Sequence, residues 1–435
     1  MRKYLKRIKN RSTTISERFN SIKDIYYLPH IAIFVPARNE GYVIENTIRR
    51  LAKMNYPKDK YSVFIIVDER ELKDDVEIFT KTVAQNTALE IAQEYGVNFI
   101  HTIEVPEWYS GVLGSNECTY KKSTKGRALN YALQALNTDS RWDTVEMIGI
   151  LDADGRLDVN VLQEVAYKRI KNKSRILQGP VFQISNFKDI TLTGISAGLE
   201  LAIHHLTELP KRILGKEFQF LAGTNYFIDK GVITSVGGWD QDTLVEDAEL
   251  AIRIYCRFYL KTEWLDSPEL EQSPENIKIY IKQRERWARG HFYLIKYIFK
   301  STLPFKDKFY LMERIILAQT RFLFDFCIPS LALFLTFWGY ITHASSIFPF
   351  ISTLFLFFSM LIFDLYGFIY RKLAIFMPIK PNFKNKFLFS VKLFLFMVPL
   401  TFVQVIPRIK AVNNFLRDNK VEWYKTERTK ELITE

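Results

Sequence analysis

The chain has 435 residues, 48% of them hydrophobic, and its 60 Lys and Arg against 48 Asp and Glu leave a formal net charge of +12. The length allows one large domain with a smaller region, or two medium domains. The basic balance suits a phosphorylated substrate or an anionic membrane surface, and nucleic acid ranks last because no zinc knuckle or nucleic-acid-binding signature is present.

Cys118, Cys256 and Cys327 are odd in number and far apart, which excludes a disulfide framework or a zinc spacing and fits a reducing compartment. The basic stretch from Met1 to Asn20 lacks a continuous apolar run, so it reads as neither signal peptide nor first transmembrane helix. Residues 1–30 are set apart as a basic segment, either lying on anionic headgroups or forming a cytosolic tail.

From Ile31 to Leu265, short apolar strands alternate with helical patterns. Ile31–Pro36, Ser62–Asp68, Val97–His101 and Val145–Leu151 read as strands, with helices over Glu40–Met54 and Asp75–Tyr95. Continuous β-branched runs between helices predict a mainly parallel sheet covered on both faces, with ligands at the carboxyl ends of its strands. Asn39, Glu40, Asp68, Asp152 and Asp154 stand at those ends. Ile103–Lys125 reads as an insertion or loop, Thr191–Leu209 as an amphipathic segment beneath a membrane, and Glu246–Tyr259 and Glu275–Phe299 as helices.

Phe322–Thr342 and Ile347–Ile369 are each long enough to cross a bilayer. The loop between them has no Lys or Arg, whereas the next carries Arg371, Lys372, Lys380, Lys384 and Lys386, which would place the large N-terminal domain in the cytosol. A third span, Phe387–Ile409, contains Lys392 and Pro399 and reads either as a crossing or as a broken interfacial segment. The expected organisation is a domain over 31–300 with interfacial helices, a membrane region over 301–409 with two or three spans, and a tail over 410–435.

Several local patterns suggest chemistry. Asp152-Ala-Asp154 after a buried strand can present two carboxylates to a divalent cation bridging two phosphates, although turns also use Asp-x-Asp. Asp68 could accept hydrogen bonds from a nucleobase or ribose, or end its strand as a cap. Lys125-Gly-Arg-Ala-Leu-Asn130 opens a helix, where basic side chains and free N–H groups suit a diphosphate. Glu246-Asp247 before a helix offers a base for an acceptor hydroxyl, or an N-cap. Gln283-Arg-Glu-Arg-Trp287 combines an amide, guanidinium groups and an aromatic face on about one helical turn; anchoring at a membrane interface is its alternative reading.

Taken in order, these elements, with Pro36-Ala-Arg-Asn-Glu40, Gly223-Thr-Asn225 and Gly237-Gly-Trp-Asp240, resemble the family 2 glycosyltransferases of GT-A (Rossmann-like) fold, within them the processive cellulose, hyaluronan and chitin synthase branch. The resemblance covers about Ile31 to Trp287 and continues into the apolar spans. It implies an α/β cytosolic domain followed by C-terminal transmembrane helices, in a multi-pass protein of the cell membrane. It further implies inverting transfer from a nucleotide sugar, UDP-glucose or UDP-N-acetylglucosamine leading, to a growing β-linked polysaccharide, or else to a glycolipid acceptor. Asp247 would be the general base and Asp154 the ligand of Mg²⁺ or Mn²⁺. Glu40, Asp68, Lys125, Asp152, Gln283 and Arg286 would bind the nucleotide and its diphosphate; Trp287, Glu246, Thr224 and Asn225 would bind the acceptor. Asp68 is followed by Glu69 rather than a second Asp, and Val245 replaces a common Thr, yet each required carboxylate is present. The branch builds its channel from more helices than this chain offers, which implies a homo-oligomer or an export subunit. Trp423-Tyr-Lys-Thr-Glu-Arg428 resembles the gating segment of these synthases.

Overall fold

The computed structural model describes residues 10–114, 123–185, 191–215, 217–322 and 386–417, with a few positions between 334 and 353. The chain divides into two compact units: Met1–Phe182 with Leu201–Gln272 and Arg428–Glu435, and Gln183–Glu200 with Ser273–Glu427.

The first unit opens with helix α1 (Arg11–Asn20), followed by β1 (His30–Ala37), α2 (Ile44–Ala52), β2 (Tyr61–Asp68), α3 (Thr80–Tyr95) and β3 (Ile100–Val105). Then come α4 (Lys125–Thr138), β4 (Val145–Ile150), β5 (Arg156–Leu157), α5 (Val161–Asn172), β6 (Ile176–Gln178) and β7 (Val181–Gln183). After helix α6 (Leu192–Ile203), which runs from the second unit into the first, and α7 (Leu209–Leu214), the first unit continues with β8 (Tyr226–Asp229), α8 (Lys230–Ser235), α9 (Glu246–Phe258), β9 (Glu263–Trp264) and β10 (Glu269–Glu271).

Seven strands form one sheet in the order β3-β2-β1-β4-β8-β6-β9, and β5-β10-β7 form a second. β2 is buried along its whole length, which explains its unbroken apolar run. β1 pairs in parallel with β2 (Phe34 opposite Phe64) and with β4 (Ile33 opposite Gly149). Ile31, Ile33 and Val35 alternate onto a core shared with Ile44, Ile48 and Leu51 of α2. On the other face Phe34 meets Phe64 edge-on at 5.8 Å, and Trp142 packs on Phe64 at 5.0 Å.

The expectation of a mainly parallel sheet holds from β3 to β4 and again between β6 and β9; β8 alone is reversed, antiparallel to both β4 and β6. The third strand begins later than expected because Gly96, at φ +68°, ends α3 in the left-handed conformation and Val97–Phe99 form the link. Ile103, assigned to a loop on sequence, belongs to β3; residues 115–122 of that stretch lie outside the described residues.

The second unit contains most of α6, with α10 (Ile277–Lys300), α11 (Phe305–Phe322) and α12 (Lys386–Leu416). Ala197, Tyr280 and Leu400 are buried together, and Tyr293 packs edge-on against Phe415 at 6.1 Å.

The expectation of transmembrane helices is corrected, and with it the multi-pass location in the cell membrane. Among the described residues no helix is long and apolar enough to cross a membrane. The third expected span falls within α12, which buries Leu393, Leu400 and Ala411 and exposes Lys392 and Lys410 together with Leu395, Ile406 and Ile409. Phe322–Thr342 and Ile347–Ile369 lie, apart from isolated positions, outside the described residues, as does the Trp423–Arg428 segment.

Candidate active site

The first unit gathers three loops around one lysine. Lys125, the first residue of α4, donates from Nζ to Asp152 Oδ1 in the turn after β4 and to the Gly223 carbonyl at 2.7 Å. The same Nζ lies 4.0 Å from Glu246 at the start of α9. Burial draws the lysine pKa down, but Asp152, Glu246 and Asp247 outweigh it and hold the group above its ordinary value.

α4 stands where it does because its N-terminal sequence interlocks with Gly237-Gly-Trp-Asp240. Thr124 caps the helix by accepting from the Arg127 N–H. Asn130 donates to the carbonyls of Gly111 and Trp239, both at 2.7 Å, and accepts from the Trp239 N–H at 2.8 Å. Gly238, at φ +77°, passes so close that a Cβ would strike the Asn130 amide.

Asp247 is half-buried in the first turn of α9. Burial and then Glu246 push its carboxyl up to about 7, against the opposing pull of the Ala248 N–H and Lys125. Gly223, at φ +76°, lays backbone against it: a Cβ there would come within 3.4 Å of Asp247 Oδ2. A carboxyl titrating near neutrality is suited to accept a proton during a reaction.

Asp152 and Asp154 flank a tight turn closed by a hydrogen bond from the Gly155 N–H to the Asp152 carbonyl at 2.8 Å. Asp154 is 1% exposed and accepts from the Gln272 N–H at 3.0 Å. The Thr224 hydroxyl accepts from the Asp152 N–H at 3.1 Å and touches both carboxyl oxygens of Glu269, at 2.8 and 2.7 Å. Asn225 is fully buried in a left-handed conformation and donates to the carbonyls of Pro180 and Ser267. Thr224 and Asn225, expected on the acceptor side, are thus buried among protein partners.

Asp68 ends β2 with three protein donors: the Arg70 N–H at 3.1 Å, the Ser123 hydroxyl at 2.6 Å and Arg127 Nη1 at 2.9 Å. Of the two basic residues opening α4, Lys125 reaches the acids after β4, whereas Arg127 is wholly buried against Asp68. Glu40 is buried after β1, its N–H donating to the Thr80 hydroxyl at 2.8 Å.

In the second unit, α10 carries Gln283, Arg286 and Trp287, with Arg284 at the centre of the cluster. Arg284 donates from Nε and Nη2 to Glu200 Oε2, at 3.1 and 2.9 Å, and from Nη1 to Gln283 Oε1 at 2.9 Å. Its guanidinium lies 4.3 Å from the Trp287 ring centroid and 4.8 Å from that of Tyr280, which also donates to Glu200 at 3.0 Å. A guanidinium has no acceptor, so Gln283 must turn its oxygen inward, and its Nε2 has no protein acceptor among the described residues.

Sequence reasoning passed over Glu269, Glu271 and Glu200, and within the Gln283–Trp287 run it gave Arg284 no role of its own. Arg284 had a signal, since it stands four residues after Tyr280 and three before Trp287 on one helix face. Glu269-Leu-Glu271 alternates as a strand should, but three residues are too short to stand out.

Comparison with known proteins bears on the family of the chain. The curated Bacillus subtilis (strain 168) protein described as "Probable glycosyltransferase YdaM" is 24% identical over 409 residues, 92% of this chain and 87% of that one. A β-monoglucosyldiacylglycerol synthase of Synechocystis is 24% identical over 60% of this chain, which spans about half (48%) of that protein's length. Among solved structures, the mannosyltransferase PcManGT of Pyrobaculum calidifontis, in complex with GDP-Man and Mn²⁺, has a TM-score of 0.45 at 16% identity, covering 81% of this chain and 94% of its own. The model of glycosyl transferase family group 2 matches residues 147–403. The chain belongs to this family: it is a glycosyltransferase, and its reaction is glycosyl transfer from a nucleotide sugar.

Proposed function

We propose that the chain is an inverting hexosyltransferase in which Asp247 removes the acceptor proton while the sugar leaves its nucleoside diphosphate. The observation that carries this reading is Lys125, whose ammonium joins Asp152, the Gly223 carbonyl and the edge of the Glu246-Asp247 pair in one site. In the step, the acceptor oxygen bonds to the anomeric carbon, the bond from that carbon to the diphosphate breaks, and the acceptor proton passes to an Asp247 oxygen. A carboxyl held near 7 takes that proton at neutral pH without a large mismatch.

Glu40, Asp68, Lys125 and Asp152 serve the nucleotide side in this proposal, with Gln283 and Arg286 as diphosphate contacts. Glu246 and Trp287 serve the acceptor. Thr224 and Asn225 act by holding the loop beside Asp247, a role that fits their burial. Asp154 is the proposed ligand of Mg²⁺ or Mn²⁺. Among the described residues no three His, Cys, Asp or Glu are grouped to hold a metal alone. An ion at this turn would have to draw much of its shell from the diphosphate. When bound, such an ion would neutralise charge developing on the leaving group.

For the acceptor, we favour a lipid-borne hydroxyl. A relative is named as a synthase of a glucosylated diacylglycerol, and α11 exposes Phe305, Phe309 and Ile316. A growing β-linked polysaccharide is the second reading, favoured by Gln283-x-x-Arg-Trp287, whose indole could stack on a sugar ring. Radiolabelled UDP- and GDP-hexoses offered with diacylglycerol vesicles decide between them. Lipid-extractable label supports the first reading and high-molecular-mass label the second; no transfer from any donor to either acceptor would overturn the proposed reaction.

A further inference from the structure

Gln178 ends β6, and its backbone is fixed on both sides. It is registered with Tyr226 of β8 and with Trp264 of β9, and its carbonyl accepts from the Leu265 N–H at 2.9 Å. Its side chain is buried in the first unit. Oε1 accepts from the Ala222 N–H at 2.9 Å, while Nε2 lies 3.0 and 3.2 Å from the carbonyls of Thr224 and Asn225 and 2.8 Å from that of Gly179. One amide therefore holds backbone on both sides of Gly223.

The partners dictate which way the amide faces. Turned over, it would set its oxygen against three carbonyls and its NH₂ against the Ala222 N–H. The two residues after Gln178 strengthen the attachment. The Gly179 N–H donates to the Asn225 carbonyl at 2.8 Å, Asn225 Nδ2 donates to the Pro180 carbonyl at 3.0 Å, and a Cβ on Gly179 would strike the Asn225 amide. Asn225, at φ +49°, is in the left-handed region, a conformation that a non-glycine residue keeps when its surroundings hold it there.

The residue at the centre of this hold is the one that meets the reactive groups. The Gly223 carbonyl accepts from Lys125 Nζ at 2.7 Å, and a Cβ on Gly223 would come within 3.4 Å of Asp247 Oδ2. The side-chain hydrogen bonds of Gln178 among the described residues all go to backbone, so it acts on these groups through the loop.

We propose that Gln178 is a positioning residue: from the fixed end of β6 it sets the Ala222–Asn225 backbone, and through Gly223 it sets where Lys125 and Asp247 stand during transfer. The inference rests on the proposed role of Asp247 as the base. A sheet end is the most rigid support such a loop can have, and the amide carries that rigidity across to it.

The test is steady-state transfer by the full chain from radiolabelled UDP- or GDP-hexose, with turnover counted per site that binds UDP or GDP in titration calorimetry. Counting in this way removes losses that come only from misfolded protein. Gln178→Met keeps the length and removes both kinds of hydrogen bond. Its kcat should fall by about tenfold to a hundredfold, as for a small misplacement of reacting groups, while KM for the donor stays within about threefold. Gln178→Glu keeps the acceptor for Ala222 but loses the donor, and it should be no faster than Gln178→Met. If Gln178→Met does not fold, Gln178→Asn, which keeps both groups on a shorter side chain, decides by the same split between kcat and KM. An unchanged kcat in the folded variant overturns the proposal, and so does a loss carried wholly by KM. A Gln178→Glu variant with wild-type kcat overturns it too, since the donated bonds would then be idle. Asp247→Asn measured alongside keeps the two readings apart. Full turnover in that variant removes the base reading and this proposal with it, whereas its loss beside an unaffected Gln178→Met overturns this proposal alone.

Discussion

The two units treat buried charge in opposite ways. In the second, burial alone would raise the Glu200 carboxyl, but Arg284 and then Arg408 outweigh it and the group is held below its ordinary range. Arg284 places three of its nitrogens on two partners and its guanidinium over two aromatic rings. In the first unit, Asp247 and Glu269 are both pushed up, because burial and neighbouring acids exceed what Lys125 and the N–H groups return to Asp247 and what the Thr224 hydroxyl returns to Glu269. A compensated cluster fixes geometry. An under-compensated one brings Asp247 near the point of gaining or losing a proton, where proton transfer at neutral pH is easiest.

The sharpest way to break that contrast is Asp247→Asn. Turnover should fall by about 10²–10⁴, as for removal of a general base, while UDP or GDP binding survives. Steady-state rates within tenfold of the wild type would show that the raised carboxyl has no part in proton transfer. The same variant should not lose stability. A raised folded pKa means that the native chain retains a proton the unfolded chain has released, so stability falls as pH rises from about 4 to about 7. With Asn at 247 that slope should disappear from urea midpoints measured across this range.

In the second unit the expected effect is on stability. Arg284→Met removes the main partner of Glu200 and should cost about 3 kcal/mol in urea unfolding. Adding Glu200→Gln should recover part of it. Purely additive losses would show that the pair is not coupled.

Gly238→Ala tests the junction of α4 with the Gly237–Asp240 loop, at an expected cost of about 2 kcal/mol from the positive φ and the clash with Asn130. The smallest effect concerns tuning. The rise of kcat/KM with pH should be centred near 7, and Lys125→Met should move it upward by about half a pH unit, because a cation favouring ionised Asp247 is lost. An unshifted limb would separate Lys125 electrostatically from the base.

The strands β1, β2 and β4 were legible because each is buried on both faces and therefore reads as an unbroken apolar run. The carboxylates at their ends were legible for the same reason: the run stops where Asp68 and Asp152 begin. What escaped was short or reversed. β8 has four residues and runs against its neighbours, and β10 has three, so neither spans enough periods to announce itself. Arg127 shows a different limit. Spacing placed it at a helix N-terminus beside Lys125, but nothing in the spacing said that Arg127 would turn inward to Asp68. The apolar stretches misled in another way. Hydropathy over Phe387–Ile409 measured amount, whereas α12 buries only some of its apolar residues and exposes Lys392 among the rest.

The Asn130 contacts have a consequence for how this chain could be varied. One amide reads backbone at Gly111 and Trp239, and the backbone of Gly238 leaves no room for any larger neighbour. Positions 130 and 238 therefore form a single unit of inheritance, although more than a hundred residues of sequence separate them. A chimera joined between them works only if both parents bring the same pair.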